Sequence, residues 1–228
     1  MDTQPQQAGN EVAHAGRILS RLGLVTAFGH VSQRTGRGML ITPAADLATV
    51  TAADLVEVDL TATSLPPGAP AEAWAHLAVY AARPDVGAIA RAQPPPAFAA
   101  AAALPGELPL LHGQACWLGE RVAVHCDPRL LRSRELAAAA AAALGSSDAL
   151  LLRGNGALTC GVAPGLAAAR MWLLAAACQT WLAAAAASDA PRLMDAAEAA
   201  SWRAAGAELL PRLWTHLSST APEGYDRD

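Results

Sequence analysis

One stretch, Ala71–Gln93 (AEAWAHLAVYAARPDVGAIARAQ), constrains the fold more than any other part of the chain. Its first half predicts an amphipathic helix, and a turn follows at 83–85. Val86–Ala90 then predicts a short buried strand, which ends in Arg91 and Gln93 before three prolines halt it. This order predicts a helix packed against the end of a strand that carries polar residues.

The helical half of this stretch contains Glu72 and His76. Residues four apart lie on the same face of a helix, so we expect the two side chains to be neighbours and His76 to hydrogen-bond and orient Glu72. A carboxylate and an imidazole opposite a guanidinium and an amide predict a functional site between the helix and the strand end.

Three further blocks give this stretch a family context. They are Gly23–Arg34 (GLVTAFGHVSQR), Leu40–Leu60 and Ala149–Gly161 (ALLLRGNGALTCG). In this order and spacing, the blocks resemble the class II aldolase/adducin family over most of residues 10–185. The resemblance implies an α/β fold: a single three-layer α/β/α domain over residues 11–218, built on a central, mainly antiparallel sheet.

The resemblance also implies where a metal would lie. Family enzymes hold a divalent metal with three histidines, two from an H-x-H and one from an R-x-H-G. Arg91 and Gln93 occupy the H-x-H positions here, and Asn155 of Arg153–Gly156 occupies the third. A guanidinium has no lone pair to donate and amides are poor ligands for transition metals. We therefore expect no zinc or manganese cofactor, unless His112 or His125 supply replacement ligands.

Glu72 and Arg91 are the two predicted catalytic residues. In the family this glutamate is the acid/base, and Arg91 could hold a carboxylate or a developing enolate oxygen in place of the metal. The alternatives are structural. Glu72 would be an acidic residue at a helix N-terminus, where the helix dipole stabilises it, and Arg91 would fill an inactive site by pairing with Glu72.

The remaining site predictions concern the substrate. His30 and Ser32 form a Gly-His-x-Ser variant that resembles a branch of the family acting on carboxylated or aromatic substrates, including decarboxylases. We expect both, with His76, Gln93 and Asn155, to bind substrate. The phosphate-binding run of the family's sugar-phosphate aldolases is missing, because TPAA (42–45) and Pro-Ala (70–71) replace its serines and glycine. We therefore expect the substrate to carry a carboxylate and no phosphate.

Composition excludes several classes of function. All sixteen cations are arginine, and without a lysine amine there is no Schiff-base chemistry. The net charge is −4 and no basic run is present, so nucleic acid is not an expected partner. The four cysteines are scattered without a C-x-x-C, which predicts reduced thiols rather than a disulfide framework.

The ends of the chain and its location are further expectations. Residues 1–10 are polar and predict disorder, and 219–228 predict a flexible terminus. Val12–Leu22 predicts the first helix, closed by Gly23, and Leu24–Val31 predicts the first strand. Neither a signal peptide nor a membrane span is expected, so the predicted location is cytoplasmic.

Two functions from different classes remain open. One is a carbon–carbon lyase, most simply a decarboxylase of a small carboxylated substrate that works without a metal. The other is a non-catalytic binding or assembly protein with a degenerate site. A third, weaker possibility is assembly with an active paralogue. The resemblance implies a homo-oligomer, commonly a tetramer, with tryptophans as interface anchors at Trp172, Trp181, Trp202 and Trp214.

Overall fold

Helices and strands alternate irregularly along residues 3–219, the part of the chain that the computed structural model describes. The α-helices are α1 (Thr3–Arg21), α2 (Ala73–Ala82), α3 (Pro95–Ala103), α4 (Arg134–Leu144), α5 (Pro164–Ala187) and α6 (Ala196–Ser219). The strands are β1 (His30–Arg34), β2 (Gly38–Ile41), β3 (Val56–Asp59), β4 (Ala88–Ala92), β5 (Glu107–Leu108), β6 (Val122–His125), β7 (Ala149–Leu152) and β8 (Gly156–Gly161). Short 3-10 helices span Ala52–Asp54 and Gly113–Leu118.

The strands form one eight-stranded sheet in the order β3-β2-β1-β4-β8-β7-β6-β5. Every neighbouring pair is antiparallel except β6 and β7, which are parallel. The predicted three-layer fold with a central, mainly antiparallel sheet is therefore confirmed. Strand β4 lies at the centre, between β1 and β8, and begins two residues later than the predicted strand Val86–Ala90, so that it includes Arg91.

The alternation of side chains along β4 assigns the two faces of the sheet. Ala88, Ala90 and Ala92 belong to the core shared with α1, α3 and α5, where their small side chains let the helices approach closely. Ile89 belongs to the core shared with α2 and α4. Arg91 has the parity of Ile89, so it points into the same layer as α2, the helix that follows Glu72.

Helix α5 packs on the central strands and is built largely from alanine. Length and composition alone would allow it to cross a membrane, but half of its apolar window is buried inside the fold. Its buried residues, such as Leu173 and Leu174, belong to the core cluster on that face of the sheet. A helix that fills the core of a soluble protein has the same composition.

The prediction of disorder over residues 1–10 is wrong from Thr3 onwards, because α1 begins there. Side-chain bonds four residues apart, from Gln7 to Glu11 among others, support this first part of the helix. Gly9 is buried against Ala52 of the first 3-10 helix, which gives the segment a tertiary contact. Residues 220–228 of the predicted C-terminal tail lie outside the described part of the chain.

The first strand begins at His30, six residues later than predicted. Gly23 ends α1 as expected: its φ is +67°, and the Leu24 N–H donates to the Leu19 carbonyl in a helix-closing turn. The segment that follows makes one bond to the strand beside it, from the Gln93 N–H to the Leu24 carbonyl. Gly29 then passes so close to the Arg91 carbonyl that a Cβ would lie 3.0 Å from its oxygen.

Candidate active site

Two neighbouring strands bring the first polar residues of the site together. In the antiparallel β1–β4 pair, His30 lies directly opposite Arg91. Directly opposed residues point to the same face of a sheet, so both side chains enter the layer that holds α2. Ser32 has the same parity on β1 and points the same way. Three of the predicted site residues therefore share one face of the sheet.

The β7–β8 turn adds Asn155 to this face. Gly154 and Gly156 flank it with φ values of +71° and +88°, which favour glycine at both positions. A Cβ at Gly156 would lie 2.3 Å from the Ala92 carbonyl oxygen, so the turn must pass directly against the end of β4. Gln93 follows that strand, and its Nε2 donates to Asn155 Oδ1 at 3.5 Å.

Glu72 reaches the site from the start of α2. It is the N-cap residue of that helix but makes no side-chain capping bond. Its Oε1 instead accepts from Asn155 Nδ2 at 2.8 Å and from the Leu131 backbone N–H at 3.2 Å. Its Oε2 lies 3.2 Å from Arg91 Nη2. The carboxylate is aimed into the site rather than at its own helix.

Arg91 is the centre of the site and has only 1% of its surface exposed. Its Nη2 pairs with Glu72 and donates to Asn155 Oδ1, while its Nε and Nη1 have no hydrogen-bond partner among the described residues. Burial lowers the pKa of Arg91 from its ordinary value, and the Glu72 charge opposes that shift. Because two nitrogens of this buried guanidinium have no partner, Arg91 retains the capacity to bind an anion.

A second polar cluster lies beside Arg91 and is fully enclosed. Ser32 Oγ lies 2.7 Å from His76 Nδ1 and 2.8 Å from the Tyr80 hydroxyl. The His76 ring meets the His30 ring edge to face, with centroids 5.9 Å apart. The predicted hydrogen bond between His76 and Glu72 is not made, because Glu72 precedes the helix and its side chain turns towards Asn155.

Arg34 fixes the other end of α2 to this cluster. Its Nη2 donates to the Tyr80 carbonyl at 2.7 Å and the Arg83 carbonyl at 2.9 Å, and its guanidinium carbon lies 4.6 Å from the Tyr80 ring centroid. Carbonyls in the last turn of a helix lack intrahelical donors, and an arginine supplies them here. Arg34 therefore anchors the end of α2 to β1 beside the polar cluster.

Acid is expected to destabilise the fold through the two enclosed histidines. Burial, helped by the Arg91 charge, lowers the pKa of His30 to about 3, and burial lowers that of His76 well below its usual 6.5. The unfolded chain therefore binds more protons than the folded chain from pH 6.5 downwards, so the free energy of unfolding falls as pH falls. Each histidine contributes a slope of up to about 1.4 kcal/mol per pH unit.

Urea unfolding at about pH 7, 6 and 5 measures this slope. Paired carboxylates such as Asp85 and Asp127 have lowered pKa values and act in the same direction, but only below about pH 4. His30→Asn removes one of the two enclosed imidazoles and is expected to lower the slope between pH 6 and 5. An unchanged slope in this variant would contradict the burial of a neutral His30.

The donors at this site do not fit a divalent metal. Its centre is a guanidinium that has no lone pair, flanked by two amides and one carboxylate already engaged in hydrogen bonds. Over residues 3–219, no group of three or more histidine, cysteine, aspartate or glutamate side chains is placed to hold a metal ion. Neither His112 nor His125 belongs to such a group among these residues.

Sequence reasoning missed two partners in the site. The Leu131 N–H that holds Glu72 is a backbone group in a loop, and no residue type predicts it. Tyr80 lies in the quoted helix, yet its hydroxyl bond to Ser32 spans 48 residues. Only the spacing of Tyr80 four residues after His76 hinted that both side chains share one face of α2.

With this geometry in place, comparison with known proteins decides the family. The model of the class II aldolase and adducin N-terminal domain matches residues 10–182. The chain belongs to this family.

Among the family's members, the chain is 34% identical over 167 residues to 3,4-dihydroxyphthalate decarboxylase of Arthrobacter keyseri, covering 65% of this chain and 67% of that protein. It is 32% identical to the L-fuculose-1-phosphate aldolase of Thermus thermophilus, with a TM-score of 0.69 over 80% of this chain and 95% of the other. An aldolase II superfamily protein of Pseudomonas syringae shares the fold at 24% identity and a TM-score of 0.79, over 95% and 92% of the two chains.

Proposed function

We propose that this class II aldolase family member is a carbon–carbon lyase of the decarboxylase type, acting on a small carboxylated, non-phosphorylated substrate without a divalent metal. The observation that carries the proposal is Arg91, a buried guanidinium with two unused donors beside Glu72. An arginine fork pairs best with a planar oxyanion such as a carboxylate. The 34% identity to 3,4-dihydroxyphthalate decarboxylase supports the same class of reaction.

The reaction needs a place for the charge that develops as the carboxylate leaves. The bond to the departing CO2 breaks, its electron pair stays on the substrate carbon, and the charge spreads onto an adjoining oxygen as an enolate. Arg91 Nε and Nη1 have no partner in the fold but are buried, so neighbouring side chains must move aside before they can donate to that oxygen; in such an enclosed place charge-assisted bonds are strong. Glu72, protonated from water, then delivers the proton to the carbon.

Two features support a substrate without phosphate. Thr42, in the run that replaces the phosphate-binding segment, is buried, and its Oγ1 accepts from the Val31 backbone N–H at 3.1 Å. Pro70 and Ala71, which precede Glu72, carry no hydroxyl. The side chains that would cradle a phosphate are therefore absent or already engaged within the sheet.

A specific observation also favours the non-catalytic alternative. Arg91 and Glu72 already neutralise each other at 3.2 Å, and Asn155 bonds to both. A protein that only binds a metabolite, or only assembles, would tolerate such a closed network. Catalysis would require the substrate's carboxylate or enolate to compete with Glu72 for Arg91, and turnover is the measurement that separates the two functions.

The decisive assay follows CO2 release from 3,4-dihydroxyphthalate and from related ortho-dicarboxylates, with and without a chelator. We expect turnover that the chelator leaves unchanged, because no step depends on a metal. Arg91→Gln and Glu72→Gln are each expected to lower kcat/KM by about 10²–10⁴-fold. Arg37→Gln, at an exposed hairpin position, is the matched control and should keep wild-type activity.

Each outcome of this assay has one meaning. Turnover that the chelator abolishes would overturn the metal-free mechanism. Binding of the dicarboxylates without CO2 release would support the non-catalytic alternative. Equal activity in the Arg91→Gln and Arg37→Gln variants would remove Arg91 from the reaction. Circular dichroism of each variant separates a loss of chemistry from a loss of fold.

A further inference from the structure

A cavity of about 580 Å3 lies between α5, α6 and the 3-10 helix Gly113–Leu118. Strand β8 runs from Gly156, at the candidate active site, to Gly161, and the next residue, Val162, lines this cavity. Six residues of strand separate the two places by about 17 Å. The cavity is therefore distinct from the active site, and its volume is in the range that small ligands occupy.

The walls of the cavity are mainly apolar. Trp117 lies on one side, with its Nε1 donating to the Trp202 carbonyl at 2.7 Å, which fixes the indole plane. Leu166 and Leu210 contribute aliphatic surface from α5 and α6. The cavity can therefore bury a flat apolar body beside an indole whose position is fixed by the fold.

One ion pair in the wall is already complete. Arg170 Nη2 lies 2.8 Å from Asp148 Oδ2. The remaining Arg170 nitrogens are also engaged: its Nε donates to the Trp117 carbonyl at 3.0 Å and its Nη1 to the Cys160 carbonyl at 2.8 Å. The pair is neutral in sum and each Arg170 nitrogen already has a partner, so the pair forms part of the wall rather than the main binding group.

Arg203 supplies the unbalanced charge. It lines the cavity from α6 and makes no hydrogen bond or ion pair with the residues described here. It also borders a neighbouring groove whose other charged residues are Glu107, Glu120, Arg121 and Asp195, yet it pairs with none of the three carboxylates. Burial raises the pKa of the nearby Cys116 thiol, and the Arg203 guanidinium opposes part of that shift. The net charge of the lining is positive, which favours an anion.

Pro211 creates an acceptor on the same helix face. Proline has no backbone N–H, so inside α6 the carbonyl of Ala207, four residues earlier, loses its usual donor. Ala207 and Pro211 both line the cavity, as does Arg203, which lies four residues before Ala207 on the same face. The cavity therefore combines a free cation, a carbonyl without its helical donor and apolar walls.

We propose that this cavity binds a small aromatic monocarboxylate that also carries a hydroxyl group. Its carboxylate pairs with Arg203, its ring lies among Trp117, Leu166 and Leu210, and its hydroxyl donates to the Ala207 carbonyl. The same chemistry describes the product that a dihydroxylated aromatic dicarboxylate leaves on losing CO2. On the proposed function, the cavity would therefore sense product, but binding itself does not depend on catalysis.

Calorimetric titration of the full chain with 3- and 4-hydroxybenzoate tests the proposal. We expect saturable binding of one equivalent that Arg203→Met weakens by about tenfold to a hundredfold, because a charge-assisted pair is lost. Arg212→Met, on the same helix but outside the cavity lining, is the matched control and should bind like the wild type. Benzoate, which lacks the hydroxyl, and phenol, which lacks the carboxylate, should both bind more weakly.

Three results would overturn the proposal. The first is no binding of either hydroxybenzoate at millimolar concentration. The second is equal binding by the Arg203→Met and Arg212→Met variants. The third is binding that Arg91→Gln abolishes and Arg203→Met spares, which would place the ligand in the active site instead. Failure of the decarboxylase assay with retained, Arg203-dependent binding would contradict only the proposed reaction.

Discussion

Replacing Arg91 with methionine is expected to lower the free energy of unfolding by about 3–5 kcal/mol. Methionine keeps much of the buried volume, so the loss comes from charge rather than from a cavity. Glu72, whose side chain is 12% exposed, would be left as a carboxylate without its cation. Asn155 Oδ1 would also lose the guanidinium donor. Urea unfolding at neutral pH measures the change.

A double-mutant cycle assigns the effect to the pair. Adding Glu72→Gln to Arg91→Met removes the stranded charge while keeping an acceptor for the Leu131 N–H, so most of the lost stability should return. As a control, Arg129→Met breaks the exposed Arg129–Asp127 pair and is expected to leave the free energy of unfolding unchanged. Two results would contradict this account: an unchanged free energy of unfolding in Arg91→Met, or no recovery of that free energy when Glu72→Gln is added. Either would show that the Arg91–Glu72 ion pair does not contribute to stability.

Local patterns in the sequence were sufficient for the ends of several elements of the fold. Gly23 closes α1, and the prolines after Gln93 end the polar strand segment. These signals are local, because they depend on backbone conformations that few residue types allow. The three-layer arrangement came from the family resemblance rather than from any single pattern, since strand order depends on contacts between residues far apart in the chain.

The errors in the prediction have a common physical cause. The four-residue spacing of Glu72 and His76 predicts contact only if both residues are helical, and Glu72 is the N-cap. His76 instead bonds to Ser32, which lies 44 residues earlier. The start of α1 was missed because Gly9 and its polar neighbours are stabilised by packing on Ala52, a tertiary contact. Long-range contacts override local pattern in each case.

The resemblance placed Glu72, Arg91, Gln93 and Asn155 at one site, and the structure brings all four together. It could not indicate that Arg91 keeps two donors unused, because that depends on what the surrounding layer fails to supply. The roles of these residues stay predictions until the variants are assayed. What the geometry adds is the direction of each hydrogen bond, and so which atoms remain for a ligand.

Placing histidines at positions 91, 93 and 155 is expected to create a metal site, whereas we expect the wild type to bind no stoichiometric zinc. Arg91 and Gln93 lie two residues apart at the end of β4, and Asn155 contacts both side chains. Imidazoles at these positions would converge on one point, as tetrahedral zinc requires with Zn–N distances of about 2.0–2.1 Å. The Arg91→His/Gln93→His/Asn155→His variant should therefore bind one zinc equivalent.

In this triple variant, we expect stability to depend on zinc, because zinc would supply the positive charge that Arg91 provides in the wild type. Without zinc it lacks the Arg91 cation, so Glu72 is left unpaired and the protein should be destabilised like Arg91→Met. Zinc replaces that positive charge, and at about 100 times its Kd it should return about 2.7 kcal/mol. Calorimetry and thermal unfolding with and without zinc test both effects, with the Asn155-retaining double variant as the control. A triple variant that binds no zinc, or that zinc fails to stabilise, would show that positions 91, 93 and 155 do not converge.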